Sequence, residues 1–210
     1  MNDTDFTEFP KMARLSRECV IQEKIDGTNA CILIVPAHAD TPKAIAAWFD
    51  EETRTDTVLM AGSRTRWITP HDDNFGFAQW CADHIEELKT LVPGRHFGEW
   101  WGSGIQRGYG LQKGEKRLSF FNTSRFCIHD QSEEGKIMLP PCIGLVPVLR
   151  QGIFTTSMVD SALHELRERG SLAAPGFMNP EGLVVFHTAA NMGFKKTIFK
   201  DEEPKSRLQQ

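Results

Sequence analysis

No stretch of the 210-residue sequence approaches the ~20 consecutive apolar residues of a membrane span. The opening MNDTDFTEFP is acidic, with no apolar run behind a basic flank, so no signal peptide is visible. The expectation is a soluble, cytoplasmic protein with no membrane partner. Cysteine is scarce and odd in number: Cys19, Cys31, Cys81, Cys127 and Cys142 form no C-x-x-C pair. That argues against a zinc knuckle and a disulfide framework, and leaves small core residues in a reducing compartment. A basic excess is missing too. With 24 Lys and Arg against 28 Asp and Glu, the net charge is −4, so no global field draws the chain to nucleic acid or an anionic bilayer. Any phosphate-binding surface has to be local.

Several catalytic signatures are also absent. The seven histidines include no H-E-x-x-H, and there is no nucleophile elbow. GEWWGSGIQRGYG contains G-x-G-x-x-x-G, which misses the dinucleotide fingerprint by one residue, and no G-K-[ST] follows for a P-loop.

What is present suits one domain: 40% hydrophobic residues over this length fill a single core, with room for one long insertion. CVIQ and ACILIV read as strands joined by a hairpin at Asp26-Gly27. Residues 36–57 read as a polar excursion anchored by Trp48 and Phe49, after which VLMAGSRTR resumes a strand. Ala78, Cys81, Ile85 and Leu88 recur at helical spacing, which predicts a helix from about 74 to Leu91, with Asp72 or Asp73 as N-cap and Pro93-Gly94 as its end. RHFGEWWG, RLSFFNTSRFCIHD and GLVPVLRQG are β-prone. TTSMVDSALHELRERG predicts a second helix, capped by Thr156 or Ser157 and ended by Gly170. EGLVVFH and MGFKKTIF read as a closing strand pair. The predicted organisation is an α+β domain over residues 1–200, built on antiparallel sheets flanked by helices, followed by a charged tail at 201–210.

The stretch IQEKIDGT then poses a choice. Lys24 is either a solvated charge beside an ordinary turn or a nucleophile at the mouth of a nucleotide pocket. The downstream order bears on it: Arg64 in SRTR, Glu99 in FGEWWG, Phe121 in SFFNTSRF, Glu181 in NPEGLVVFH and Lys195 in GFKKT. This series, spanning residues 23–197, resembles the covalent nucleotidyltransferases, and within them the ATP-dependent RNA ligases related to phage RNA ligase 2. K-x-D-G is similar to their nucleophile motif, G-E among aromatics to the third, E-G-x-V-V to the fourth, and the strand-borne lysine to the fifth.

The resemblance implies an adenylation-domain fold, an ATP-grasp-like ligase core, and a covalent lysyl-AMP at Lys24. It places Glu99 on the ribose, Phe121 on the adenine, Glu181 on Mg²⁺ or Mn²⁺, and Arg64, Lys195 and Lys196 on the phosphates of ATP. It adds Glu23, Ile25, Asp26, Gly27 and Asn29 as nucleotide-site residues. Gly27 and Gly182 suit turns pressed against a phosphate. The chemistry agrees with these residue types. An amine attacks phosphorus only when uncharged, and surrounding cations favour that form while offsetting charge on the leaving pyrophosphate. Blander readings stand beside these assignments: Glu99 paired with Arg95 on a sheet surface, Phe121 packed in the core, Glu181 as turn chemistry, Glu23, Asp26 and Asn29 as turn-stabilising residues, and Arg107 and Tyr109 in a solvated turn.

The implied partners are RNA 5′-phosphate and 3′-hydroxyl ends, with DNA possible. Arg64, Arg66, Trp100, Trp101, Arg107 and Tyr109 are candidates for lining the strand path. The sequence departs from the family pattern in three places. Thr197 stands where a second lysine is usual, so Lys196 points to the other face of a regular strand unless Lys200 bends in. Asn122 stands where relatives often carry aspartate. The chain ends just past the fifth motif, which implies no additional C-terminal domain, so a partner protein would have to supply one. Two other functions share these residues: a capping-type or protein-directed nucleotidyltransferase, and a non-catalytic nucleotide or RNA-end binding protein.

Overall fold

The computed structural model describes residues 9, 11–38, 41, 43–128, 131–199 and 201. Residue 200 and residues 202–210 lie outside these, and with them both the possible reach of Lys200 and nearly all of the expected tail. In chain order the described elements begin with β1 (Glu18–Lys24), β2 (Thr28–Pro36), β3 (Ala46–Asp50), β4 (Thr55–Gly62) and β5 (Trp67–Ile68). Helices α1 (Phe77–Asp83) and α2 (Ile85–Leu88) precede β6 (Gly94–Gly102) and β7 (Lys116–Phe120). The short β8 (Phe126–Cys127), β9 (Ile137–Met138) and β10 (Ile143–Leu145) lead to β11 (Val148–Ile153) and helix α3 (Thr156–Arg169). β12 (Gly182–His187) and β13 (Met192–Thr197) close the order.

Two sheets dominate the α+β fold, one ordered β11-β1-β12-β13 and the other β10-β7-β6-β2-β4-β3, with β5 on β4. Both are antiparallel except for the parallel β10–β7 pair. Each sheet is half covered. In the first, alternation sends Cys19, Ile21, Leu183 and Val185 against Val159, Ala162 and Leu166 of α3. In the second, Ala30, Ile32, Ile34, Leu59 and Trp100 pack on Phe77, Cys81 and Leu88 beneath α1 and α2. The opposite faces, with a residue of each pair pointing away from its helix, are left to meet across a cleft.

The expected hairpin at Asp26-Gly27 does not form. β1 pairs with β11 and β12, whereas β2 pairs with β4 and β6. Ile25-Asp26-Gly27 therefore crosses from one sheet to the other, over a small core of Ile25, Trp101, Tyr109, Val146 and Ala174. Within the expected 36–57 excursion, β3 and β4 pair as a hairpin, Trp48 packs on the core and Phe49 stays exposed.

The helix expected over 74–91 is broken at His84, whose backbone N–H and ring Nδ1 both lie on the Trp80 carbonyl while its ring stacks on Trp80. Asp73 does cap, but from a distance: its carboxylate accepts from the Ala78 and Gln79 N–H groups, and left-handed Phe75 and Gly76 delay the helix to Phe77. For α3 the cap is Thr155, one residue earlier than expected, with Oγ1 accepting from Met158 N, and Gly170 ends the helix at φ 81°. GLVPVLRQG supplies two strands in two different sheets, since Pro147 separates β10 from β11.

Candidate active site

β1 ends at the bridge between the sheets, and its alternation is decisive. Cys19, Ile21 and Glu23 turn away from the cleft, while Val20, Gln22 and Lys24 turn toward it. On the neighbouring β12, Gly182 lies opposite Lys24, Val184 opposite Gln22 and Phe186 opposite Val20. On β6 of the facing sheet, Arg95, Phe97 and Glu99 look into the same cleft, with Asn29 opposite Glu99 across the strand pair. The result is a cavity of about 800 Å³, within the range of small-ligand sites. Lys24, Ile25, Asn29, Arg64, Glu99, Phe121 and Lys195 line it, so these residues, far apart in sequence, share one space.

Lys24 Nζ donates to Glu181 Oε2 at 2.6 Å, and Glu181 is 3% exposed. Glu99 Oε1 accepts from the Gly27 N–H at 3.0 Å. This bond ties the bridge to β6, and an Arg95 partner for Glu99 is not what the structure holds. Burial pushes the Glu99 carboxyl up to about 7; Lys24 and the Gly27 N–H pull it back, and Glu181 and Asp26 push it further up. Phe121 is 36% exposed beside the cavity, whereas Phe120 and Phe126 pack together in the core with centroids 5.8 Å apart.

Other expected residues have their side chains engaged elsewhere, although Glu23 also contributes to the cavity lining. Lys196 pairs with Leu183, faces α3 and comes within 3.6 Å of Asp160, as strand alternation requires; it is not among the residues that line the cavity. Glu23 is a structural anchor. Its buried carboxylate accepts from Ser171 Oγ (2.5 Å), Leu172 N (2.8 Å) and Ala173 N (3.0 Å), which clamps the loop after α3, and burial raises its pKa against those bonds. Asp26 turns from the cavity to accept from Arg107 Nε at 3.0 Å.

The glycines are needed for a reason other than phosphate contact. A Cβ on Gly27 would stand 2.4 Å from the Trp100 carbonyl oxygen, and one on Gly182 2.2 Å from that of Lys196, so both admit neighbouring backbone. The expected strand path also changes. Trp100, Trp101 and Tyr109 are buried at 1–2% exposure, Arg107 is engaged with Asp26, and Arg66 pairs with Asp72.

Sequence reasoning missed Gln22, although its position two residues before Lys24 on a strand was the available signal. Its amide N–H groups donate to the Phe121 carbonyl (2.9 Å) and Thr123 Oγ1 (3.0 Å), which fixes the side chain at the cavity wall and leaves Oε1 as an acceptor. It also missed Arg95, Phe97 and Arg125, which line the outer part of the cavity; Phe97 is 54% exposed. Arg95 lies over the Trp67 ring and Arg125 over the Phe126 ring.

A family model described as RNA ligase matches residues 17–200. The chain belongs to the RNA ligase family. Solved structures of Naegleria gruberi RNA ligase mutants share the fold. An apo form superposes with a TM-score of 0.51 at 16% identity, covering 87% of this chain and 50% of that chain. A form with ATP and Mn gives 0.50 at 14% identity, and one with AMP and Mn gives 0.51 at 16%, with the same coverage. This family member thus spans about half the length of those proteins. Comparison with curated proteins by sequence gave no match. No helix among the described residues is long and apolar enough to cross a membrane.

Proposed function

We propose that this chain is the adenylation core of an ATP-dependent RNA ligase and that Lys24 is its nucleophile. The observation that carries the reading is Lys24 itself: a strand-end lysine facing a cavity it shares with Arg64, Glu99, Phe121 and Lys195, its amine held 2.6 Å from Glu181. ATP enters as a substrate. Phe121, just past β7, and Val184 on β12 flank the base, and Gln22 Oε1 accepts from the adenine 6-amino group. Glu99 accepts from a ribose hydroxyl, while Arg64 and Lys195 hold the phosphates.

In the first step Glu181 orients the ε-amino group and takes up its proton. The Nζ lone pair forms a bond to the α-phosphorus, the bond from that phosphorus to the bridging oxygen breaks, and pyrophosphate leaves. In the second, an oxygen of an RNA 5′-phosphate attacks the same phosphorus; the nitrogen–phosphorus bond breaks and Lys24 regains its proton. In the third, a 3′-hydroxyl oxygen attacks the activated 5′-phosphorus and its proton passes to solvent; the bond from that phosphorus to the bridging oxygen breaks, a phosphodiester forms and AMP departs.

A divalent ion fits this site only as a partner of the nucleotide. Among the described residues no group of three or more His, Cys, Asp or Glu could cage a metal, so Glu181 would hold Mg²⁺ or Mn²⁺ in a shell completed by phosphate oxygens and water. Such an ion supplies charge to offset the departing pyrophosphate.

The strand route we assign is the outer cavity. An unpaired base stacks on exposed Phe97, and Arg95 and Arg125, which have no carboxylate partner among the described residues, take the flanking phosphates. The five free thiols suit a reducing compartment such as the cytoplasm, and a role in RNA repair follows from joining such ends. A partner or further segment supplying nucleic-acid contacts fits the coverage of only half the relatives' length. The test is to incubate the protein with labelled ATP and metal, then with nicked, 5′-phosphorylated RNA. Label passing to the 5′ end followed by sealing supports the reading. Transfer to a 5′-diphosphate end or to a protein supports a capping-type or protein-directed enzyme instead, and ATP binding with no transfer supports a non-catalytic binder.

A further inference from the structure

Arg107 lies in the glycine-rich stretch between β6 and β7, where the chain bends through six left-handed residues: Gly104, Gln106, Gly108, Tyr109, Gly110 and Gly114. Two of these, Gln106 at φ 44° and Tyr109 at φ 52°, carry side chains, a conformation that persists only where surroundings enforce it. The enforcement is visible. The Tyr109 hydroxyl accepts from the Asp26 N–H at 2.8 Å, and its ring packs on Trp101 and Phe177.

The bend aims the Arg107 guanidinium between two segments that carry the chemistry. Nε donates to Asp26 Oδ2 at 3.0 Å; Nη1 lies 2.9 Å from the Asn179 carbonyl, 2.9 Å from Asn179 Oδ1 and 3.2 Å from the Pro180 carbonyl. Asp26 is two residues past Lys24, and Pro180 immediately precedes Glu181. A closed ring therefore runs from Lys24 through the bridge to Asp26, across Arg107 to Pro180 and Glu181, and back over the 2.6 Å contact to Lys24 Nζ. β1 and β12 are already paired up to Lys24 and Gly182. Beyond that last rung, Arg107 bonds to both diverging chains.

We infer that Arg107 is a positioning residue that sets the approach of Lys24 to Glu181, and through it the line of attack on the α-phosphate. This rests on the reading of Lys24 as the nucleophile. A planar fork spanning a carboxylate and carbonyls on separate segments is a task for guanidinium that an ammonium point charge performs poorly. Misplacement of a reacting atom by about 1 Å can cost ~10²-fold in rate.

The experiment measures AMP-adduct formation against ATP concentration, together with thermal melting, for the wild type, Arg107→Lys and Arg107→Ala. The expected result is a ~10- to 100-fold lower maximal adenylylation rate for Arg107→Lys, with an ATP KM within about threefold of wild type and a melting curve showing it folded. Arg107→Ala is slower still and partly restored by added methylguanidinium. Where Arg107→Ala does not fold, the rate and KM of Arg107→Lys decide alone. A folded Arg107→Lys variant with a wild-type maximal rate overturns the inference, as does loss in either variant that tracks only the unfolded fraction and is not rescued. Failure of the wild-type protein to form any AMP adduct refutes the nucleophile reading instead, so the two failures are distinguishable.

Discussion

Lys24 Nζ and Glu181 Oε2 meet at 2.6 Å although 157 positions separate them, because β1 and β12 are adjacent strands that end side by side at the cleft. Glu181 is nearly fully buried and Lys24 only partly so, which makes the carboxylate the fixed member of the pair.

Glu181→Gln retains the shape and removes both the charge and the proton acceptor. The expected outcome is a ~10²-fold or greater loss in the rate of adenylylation at saturating ATP. Quenched time courses with labelled ATP measure it, and a rate within about threefold of wild type contradicts the role assigned to Glu181.

The Glu99 carboxyl gives a pH signature. It is an acid held up to about 7 in the folded protein against an unfolded value of about 4.3. Between these values the folded form binds more protons than the unfolded one, so this residue's effect is to lower stability as pH rises through that window and to level off above about 7. Glu99→Gln, which still accepts from the Gly27 N–H, removes the effect. Denaturant midpoints of the variant should therefore gain on the wild type from pH about 5 to about 7 and not beyond.

Gln22 is assigned to the base edge. Gln22→Leu removes the acceptor for the 6-amino group together with the two bonds to Phe121 and Thr123. The expected effect is a ~10-fold or larger rise in ATP KM for adduct formation and a narrower preference for ATP over GTP. Parallel titrations with both nucleotides check it.

The proposed strand route through the outer cavity bears on the second step. An Arg95→Ala, Arg125→Ala double variant, adenylylated first and then given 5′-phosphorylated RNA, should transfer AMP at least ~10-fold more slowly. The salt slope of RNA binding should fall by about one unit for each phosphate that is no longer neutralised. Titration of RNA affinity across salt reads the second effect, and an unchanged slope places the strand elsewhere.

The sequence made the site's membership legible further than its geometry. Period-two alternation separated Phe121 from Phe120 and Phe126, and Lys195 from Lys196, and those pairs do face opposite ways. It could not disclose that Asp26-Gly27 links two sheets, because a bridge and a hairpin turn demand the same small, flexible residues; only the partners of β1 and β2 distinguish them. The resemblance implies Glu23 as a site residue, yet its place next to Lys24 on a strand turns its side chain to the opposite face, against Ser171. Arg107 and Tyr109 read as strand-path candidates because an arginine and an aromatic in a glycine-rich segment suit nucleic-acid contact. Their burial follows from contacts with residues more than 70 positions away, which no local pattern records.

The most direct test of the whole account is intact-mass measurement of the protein after incubation with ATP and Mg²⁺, followed by peptide mapping. The expected result is a single AMP adduct, dependent on metal, located on Lys24 and absent from Lys24→Ala. An adduct on another residue, or ATP bound by the wild type with no covalent product, contradicts it.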